Sequence, residues 1–469
     1  MTEIRSDYLV VGSGAVGLAF ADTLLAETDA HITIVDRHGK PGGHWNDAYS
    51  FVTLHQPSAF YGVNSLPLGT GRKDSIGINA GLCELASGPE VSGYFDTVMR
   101  QQLLPSRRVS YFPMTNYIGD GRFVSLLSGV ETRVTVRKKT VDATHYGTSV
   151  PSTHAPKYKI GSGVNFVTPN ALPHMALLKA APPTRYVIVG AGKTAMDVGV
   201  WLLHSGALAE NIIWVMPRDS WLLNRRHTQP GLEFFTESIG GQAMQMEAFA
   251  KATSIDDLFL QLEAGGIMLR IDPDVRPGMM HYATISIGEV ALLRQIRSII
   301  RKGHVRSIEC DGLYFDTGHV PVDAGALYID CTASAVERRP PEPIFQGDRI
   351  VLQLVRAPGP TFSSALVAYV EAHYDDNELK NELCATVPLP DAIEQFPRTV
   401  LANMTNEGSW RKDSALRGWI SRSRLDGFRK VVAAVSDDDI EKQAILAKMR
   451  EHVRPAVANL RKLAARYTG

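Results

Sequence analysis

Gly12-Ser13-Gly14-Ala15-Val16-Gly17 follows the apolar run Asp7-Tyr8-Leu9-Val10-Val11 and leads into Leu18-Ala19-Phe20-Ala21-Asp22-Thr23-Leu24-Leu25. A glycine-rich turn between an apolar strand and an apolar helix is a dinucleotide-binding fingerprint. Gly12 makes the tight turn, Gly14 lets the backbone approach a pyrophosphate, and Gly17 lets helix and strand pack closely. Phosphates then rest on the helix N-terminus, where unpaired N–H groups and the helix dipole favour negative charge. The pattern recurs at Gly190-Ala191-Gly192-Lys193-Thr194-Ala195, after Tyr186-Val187-Ile188-Val189 and before Met196-Asp197-Val198-Gly199-Val200-Trp201-Leu202-Leu203. One such loop is a weak signal. Two, each between strand and helix, predict an α/β chain with two Rossmann-like domains. A protein that holds two dinucleotides is expected to pass electrons between them.

The residues beyond each loop separate the two sites. Ile32-Thr33-Ile34-Val35 reads as the second strand of the first unit, and Asp36 ends it about 20 residues past the loop, where a carboxylate accepts hydrogen bonds from a ribose. Arg37 lies beside it as a further candidate contact. In the second unit Ile212-Ile213-Trp214-Val215-Met216 is the matching strand, followed by Pro217-Arg218. A cation there suits a 2′-phosphate and so favours NADPH over NADH. The other reading of Arg218 is an ordinary surface arginine. Gly190, Gly192, Lys193 and Thr194 are the remaining candidate coenzyme contacts.

Gly42-Gly43-His44-Trp45 comes directly after the Asp36 turn. Here the chain resembles the flavin-containing monooxygenases and the related Baeyer–Villiger monooxygenases and N-hydroxylases. The resemblance implies that the first dinucleotide is FAD, held by Gly12, Gly14, Gly17 and Asp36, with Gly43, His44 and Trp45 along the flavin. It extends to Asp142-Ala143-Thr144-His145, similar to the family's Ala-Thr-Gly junction between domains. It also reaches Asp330-Cys331-Thr332-Ala333, similar to its return crossing to the flavin. Thr144, Asp330 and Thr332 are thereby expected at the FAD. The resemblance covers most of residues 7–375. The stretch from His154 to Gly161 departs from the family's FxGxxxHxxx[YF] pattern, with His154 and Tyr158 as its nearest match, and Thr144 is followed by His145 instead of glycine.

Composition narrows the function classes. The 469 residues suggest two or three domains, and 44% hydrophobic content supports a real core. Lysine plus arginine and aspartate plus glutamate both number 49, so no general attraction for nucleic acid is expected. No apolar run is long enough for a membrane span, and the first strand begins too early to leave room for a leader, which predicts a cytoplasmic protein. Cys83, Cys310, Cys331 and Cys384 are far apart. That spacing excludes a zinc ribbon and the vicinal cysteine pair of disulfide-reducing flavoproteins, and no metal is expected.

The order of motifs predicts an FAD-binding domain (1–148) interrupted by an NADPH-binding domain with a helical cap over 218–281 (149–323). The FAD domain is completed by 324–390 and followed by a helical C-terminal segment (391–469). Within this plan, Ile287–Arg301 reads as a helix stopped by Gly303, and residues 305–308 and 312–315 as a hairpin turning near Asp311-Gly312. Residues 326–330 read as the strand back to the flavin lobe. Residues 361–372 read as a helix capped by Thr361 or Ser363, whose first N–H groups could face a reduced flavin. At the end, Asp437-Asp438-Asp439 opens a helix over 440–453, with Pro455 as a kink or break. Its apolar side, Ile445, Met449 and Val453, is expected to pack on the flavin lobe or on a second copy of the chain.

For chemistry, Leu54-His55-Gln56-Pro57-Ser58-Ala59-Phe60-Tyr61 is the candidate stretch. In the resembling families this segment passes in front of the isoalloxazine. There Gln56 or Ser58 could hold a peroxide or the reduced flavin, and His55 could donate a proton or serve only as a structural histidine. The expectation is an FAD-containing, NADPH-dependent monooxygenase that uses dioxygen to oxygenate nitrogen, sulfur or a carbonyl carbon of a small molecule. The alternatives are a flavin reductase or oxidase that oxygenates nothing, and a nucleotide sensor, against which the Gly42–Trp45 segment argues.

Overall fold

The computed structural model describes residues 2–177, 183–333, 336–337 and 339–467. β1 (Thr2–Val11) passes through the first glycine loop into α1 (Ala15–Glu27), followed by β2 (Ile32–Val35), α2 (Gly88–Thr97), β3 (Val109–Phe112), β4 (Thr115–Gly119), β5 (Arg122–Ser125) and β6 (Glu131–Asp142). Tyr8, Leu9 and Val10 of β1 are all buried, without alternation, as a parallel strand covered on both faces requires.

The second lobe begins with β7 (Lys159–Ile160), β8 (Asn165–Val167), α3 (Leu172–Leu177), β9 (Tyr186–Val189), α4 (Lys193–His204) and β10 (Ile212–Val215). A cap follows, made of β11 (Ser220–Asn224), α5 (Phe235–Lys251), α6 (Ile255–Ala264), β12 (Met268–Leu269) and β13 (Met279–Ile285). The lobe ends with α7 (Ile287–Leu293), β14 (Ser298–Ile300), β15 (Val305–Glu309), β16 (Gly312–Phe315), β17 (Gly318–Pro321) and β18 (Leu327–Asp330). The chain returns to the first lobe with β19 (Phe345–Gln346), β20 (Arg349–Val351), α8 (Pro360–His373) and α9 (Asn377–Leu383). It finishes in α10 (Phe396–Lys412), α11 (Ser414–Arg422), α12 (Arg429–Ala433) and α13 (Ile440–Ala465).

Both lobes are built on a parallel sheet with one arrangement. The first runs β20-β6-β1-β2-β3 and the second β8-β18-β9-β10-β14. In each, a glycine-loop strand lies at the centre, its chain successor on one side and a later strand on the other. β15 and β16 form the expected hairpin, pairing Glu309 with Gly312.

Four expectations are corrected. Residues 327–330 do not return to the first lobe: β18 lies between β9 and β8, and the first sheet is rejoined at β20, beside β6. A buried apolar run announces a central strand but not which sheet takes it. The helix from Ile287 stops at Leu293, and Ser298–Ile300 is the edge strand β14, where β-branched Ile299 and Ile300 suit a pleated surface. The cap is not all helical, since β11, β12 and β13 form a small sheet from which Trp221 stacks on Phe259 at 5.4 Å. The C-terminal helix packs on the cap, with Leu446 against Phe235 and Ile239, and Ala456, Leu460 and Leu463 in the cluster of Trp221 and Phe249. It continues through Pro455 as one helix.

Candidate active site between the two glycine loops

The first loop meets its backbone requirements. Gly12 has φ of +103°, and a Cβ at Gly17 would lie 2.0 Å from the Gly12 carbonyl oxygen. At Gly14 an added Cβ meets only Gly43 within 4 Å, at 3.6 Å, and α1 begins without a side-chain cap or an acidic residue in its first turn. The second loop matches. An added Cβ at Gly192 meets nothing within 4 Å, one at Gly190 would be 3.0 Å from the Cys331 carbonyl oxygen, and α4 also starts uncapped by any side chain. Both helix starts are therefore open to a pyrophosphate, and the residues present fit that half of a dinucleotide.

The strand beside each loop ends in the same turn. Thr144 N–H and hydroxyl donate to Asp142 Oδ1 at 2.8 and 2.7 Å, and Thr332 N–H and hydroxyl donate to Asp330 Oδ1 at 2.9 and 2.6 Å. Asp330 and Thr332 thus stand beside the second loop as Asp142 and Thr144 stand beside the first. Tyr158 lies against Asp330, and burial together with that carboxylate pushes its phenol well up.

Asp36, the carboxylate expected at a ribose, is already engaged. Asp36 Oδ2 accepts from the N–H of Ser13 and, at 2.9 Å, from its hydroxyl, while Oδ1 faces His38 N–H at 2.8 Å and His38 Nδ1 at 3.0 Å. His38 Nε2 lies 2.7 Å from Asp47 Oδ2. The bond to Asp36, with Asp47 behind it, raises His38 to about 9, so it is an imidazolium clamped between two carboxylates. Any further donor to Asp36 has to share it with Ser13 and His38. Arg37 is exposed. Trp45 Nε1 donates to Tyr61 hydroxyl at 2.9 Å, and burial lowers His44 to about 4.

Between the loops the lobes interlock through a charged cluster. Lys193, at the start of α4, pairs with Asp197 one turn on and with Glu289 Oε1 at 3.2 Å, and its side chain is only 8% exposed. Arg225, 1% exposed, reaches Glu289 Oε2 at 2.7 Å and donates across the lobes to the His55 carbonyl at 2.7 Å and Asn79 Oδ1 at 3.0 Å. From the first lobe Tyr49 hydroxyl donates to Asp197 Oδ2 at 2.7 Å. Burial opposes it, yet Lys193 and Arg225 hold Glu289 down to about 2, and Glu289 also closes a capping box with Ser286. Two cations and two carboxylates neutralise one another in a buried seam.

The other sequence candidates divide. Ser58 is buried and spent, donating to the Glu84 carbonyl at 3.0 Å and accepting from Ala86 N–H at 2.8 Å, so it is not a free donor. His55 is pushed well below its usual range by burial and by Lys193 and Arg225, which leaves a neutral ring poorly suited to donate a proton. Gln56 is half-buried, and its amide has no partner among the described residues. Ser363 is buried, donates to the Gly359 carbonyl at 2.7 Å and lies one turn inside α8, so it does not cap that helix. Lys193 turns into the charged seam, and Thr194, in the first turn of α4, hydrogen-bonds the Tyr49 side chain. Arg218 is half-exposed and meets Asp391. The sequence reading misses Tyr49, Asp197, Arg225 and Glu289. Signals existed in the Lys193 to Asp197 spacing of one turn and in the Ser286-x-x-Glu289 box.

Residues 10–65 match the family described as NAD(P)-binding Rossmann-like domain. The uncharacterized protein Rv2000 of Mycobacterium tuberculosis is 46% identical over 463 residues, which span 98% of this chain and 84% of that protein. This chain belongs to the family of that mycobacterial protein. Among solved structures, this family member is similar in general outline to a polycyclic ketone monooxygenase from Thermothelomyces thermophila (12% identity, TM-score 0.48, 99% of this chain and 88% of that one). It is likewise similar to a flavin-containing monooxygenase from Stenotrophomonas maltophilia (14% identity, TM-score 0.43, 81% and 100%). Among the described residues no helix is long and apolar enough to cross a membrane, and no cluster of His, Cys, Asp and Glu could hold a metal ion.

Proposed function

We propose that the chain is an FAD-containing, NADPH-dependent oxidoreductase of the monooxygenase type, acting with dioxygen on nitrogen, sulfur or a carbonyl carbon of a small organic substrate. One observation carries this reading: two parallel sheets of one arrangement each present an open glycine loop, and the Tyr49–Gln56 segment of the first is bonded to Asp197 of α4 and to Arg225 in the second. Bound there, FAD supplies hydride acceptance from NADPH and reaction with dioxygen. The chain's own residues do the rest. The loops and helix starts hold the pyrophosphates. The neutralised seam of Lys193, Asp197, Glu289 and Arg225 fixes the two lobes and keeps water from the space between them. Gln56 offers the amide that can hold an oxygen atom in place.

A second reading, a reductase or oxidase that oxygenates nothing, draws support from Ser58, whose hydroxyl is spent, and from His55, which is neutral. Rapid mixing separates the two. The purified protein is expected to be yellow with FAD, to be reduced by NADPH faster than by NADH, and to show with dioxygen a transient absorbance between those of reduced and oxidised flavin. Gln56→Leu is expected to shorten that transient. Direct reoxidation with hydrogen peroxide matching NADPH consumption would favour the second reading, and a colourless protein that takes up no added FAD would end both.

A further inference from the structure

The coenzyme edge of the second lobe holds an anion of the chain's own. In a fold of this type the ribose lies beyond the end of the second strand, here β10, which stops at Val215. Arg218 stands there, with its side chain 50% exposed and Nη1 3.5 Å from Asp391 Oδ2. His281, on β13, places Nε2 2.7 Å from Asp391 Oδ1. The neighbouring cation, Arg301, is spent on Asp219 at 2.8 and 3.0 Å and on Asp272 at 3.0 Å. Asp391 is held by its backbone: its carbonyl accepts from Met280 N–H at 3.2 Å, its N–H donates to Gln395 at 2.8 Å, and Ala392 bridges Met279. Its carboxylate, 16% exposed, thus sits between an arginine and a histidine past the end of β10.

We infer that Asp391 is a coenzyme-selecting residue: its carboxylate holds the Arg218–His281 pair that would receive the 2′-phosphate of NADPH, so that coenzyme choice is a competition between this carboxylate and that phosphate. The inference rests on the second loop being the NADPH site. A phosphate monoester carries about −1.5 to −2 charge and three acceptor oxygens against one charge on a carboxylate, so it can displace Asp391, at the cost of the contacts it breaks. NADH has nothing to put in its place. Arg218 alone is therefore not the whole determinant, and the C-terminal segment, which carries Asp391, takes part in reading the coenzyme.

Calorimetric titration of the FAD-loaded protein with NADPH and with NADH tests this, on wild type, Asp391→Asn and Asp391→Ser. Both variants are expected to bind NADPH roughly 1.5–5-fold more tightly, the range for an exposed, screened ion pair, with NADH affinity unchanged. An unchanged ratio of the two affinities, or weaker NADPH binding, overturns the inference while leaving the second loop as a coenzyme site. Binding of neither coenzyme to wild type overturns that site as well.

Discussion

His38 shows how one side chain sets the pH range of a nucleotide seat. Clamped between Asp36 and Asp47, it is raised from its ordinary 6.5 to about 9 in the folded chain. A raised histidine contributes its stability fully below the unfolded value and loses it as pH climbs through the folded one, so the loss falls between about 6.5 and 9. After screening for its partial exposure the contribution is about 1–2 kcal/mol. The melting temperature of wild type is expected to fall between neutral pH and about 9, and His38→Gln to remove that part of the fall. Thermal melts of both proteins at a series of pH values check it; a parallel pH profile in the variant would show that His38 carries none of it.

At the scale of the element, β1, its loop and α1 separate two uses of glycine. Gly17→Ala places a Cβ 2.0 Å from a backbone oxygen, so helix and strand must part. The melting temperature is expected to drop by several degrees, in keeping with a cost of about 1–3 kcal/mol for overpacking. Gly14→Ala meets only an ordinary contact at 3.6 Å, so the fold is expected to hold while FAD content falls. Flavin absorbance and thermal melts on both variants separate the outcomes, and loss of fold in Gly14→Ala would refute the division. The same contrast explains how much the sequence reveals. Loop, strand and helix are legible because their demands are local: a positive φ, a missing Cβ, an apolar run. β18 reads as part of the wrong sheet because Leu327-Tyr328-Ile329 states burial and not address. The seam is hidden because Lys193 and Glu289 meet across 96 residues, and only the fold makes them neighbours. Ser58 looks free in the sequence for the same reason, its partners Glu84 and Ala86 lying well along the chain.

For the whole molecule, buried bonds are prominent among those that tie the lobes. Arg225 joins Glu289 to the His55 carbonyl and Asn79, Tyr49 joins Asp197, and Cys83 N–H donates to Gln229 at 2.8 Å. Arg225→Ala removes one of the two buried cations that face Glu289 and leaves Lys193 to hold it, a change that costs up to about 3–5 kcal/mol. Amide exchange in residues 49–56 is expected to rise sharply while β1 and β9 stay protected, since those strands lie within their own sheets. Uniform exchange increases in both lobes would show a global loss instead of a loosened seam. The two parallel sheets repeat each other, down to the Asp-x-Thr turn beside each glycine loop. Two seats of one shape cannot tell two dinucleotides apart by shape. On the proposed reading part of the sorting falls to the charge past the second strand, a carboxylate at Asp36 in the first lobe and the Arg218–His281 pair around Asp391 in the second. Exchanging those two signs would be the shortest mutational route by which such a chain could come to load its molecules in the wrong order.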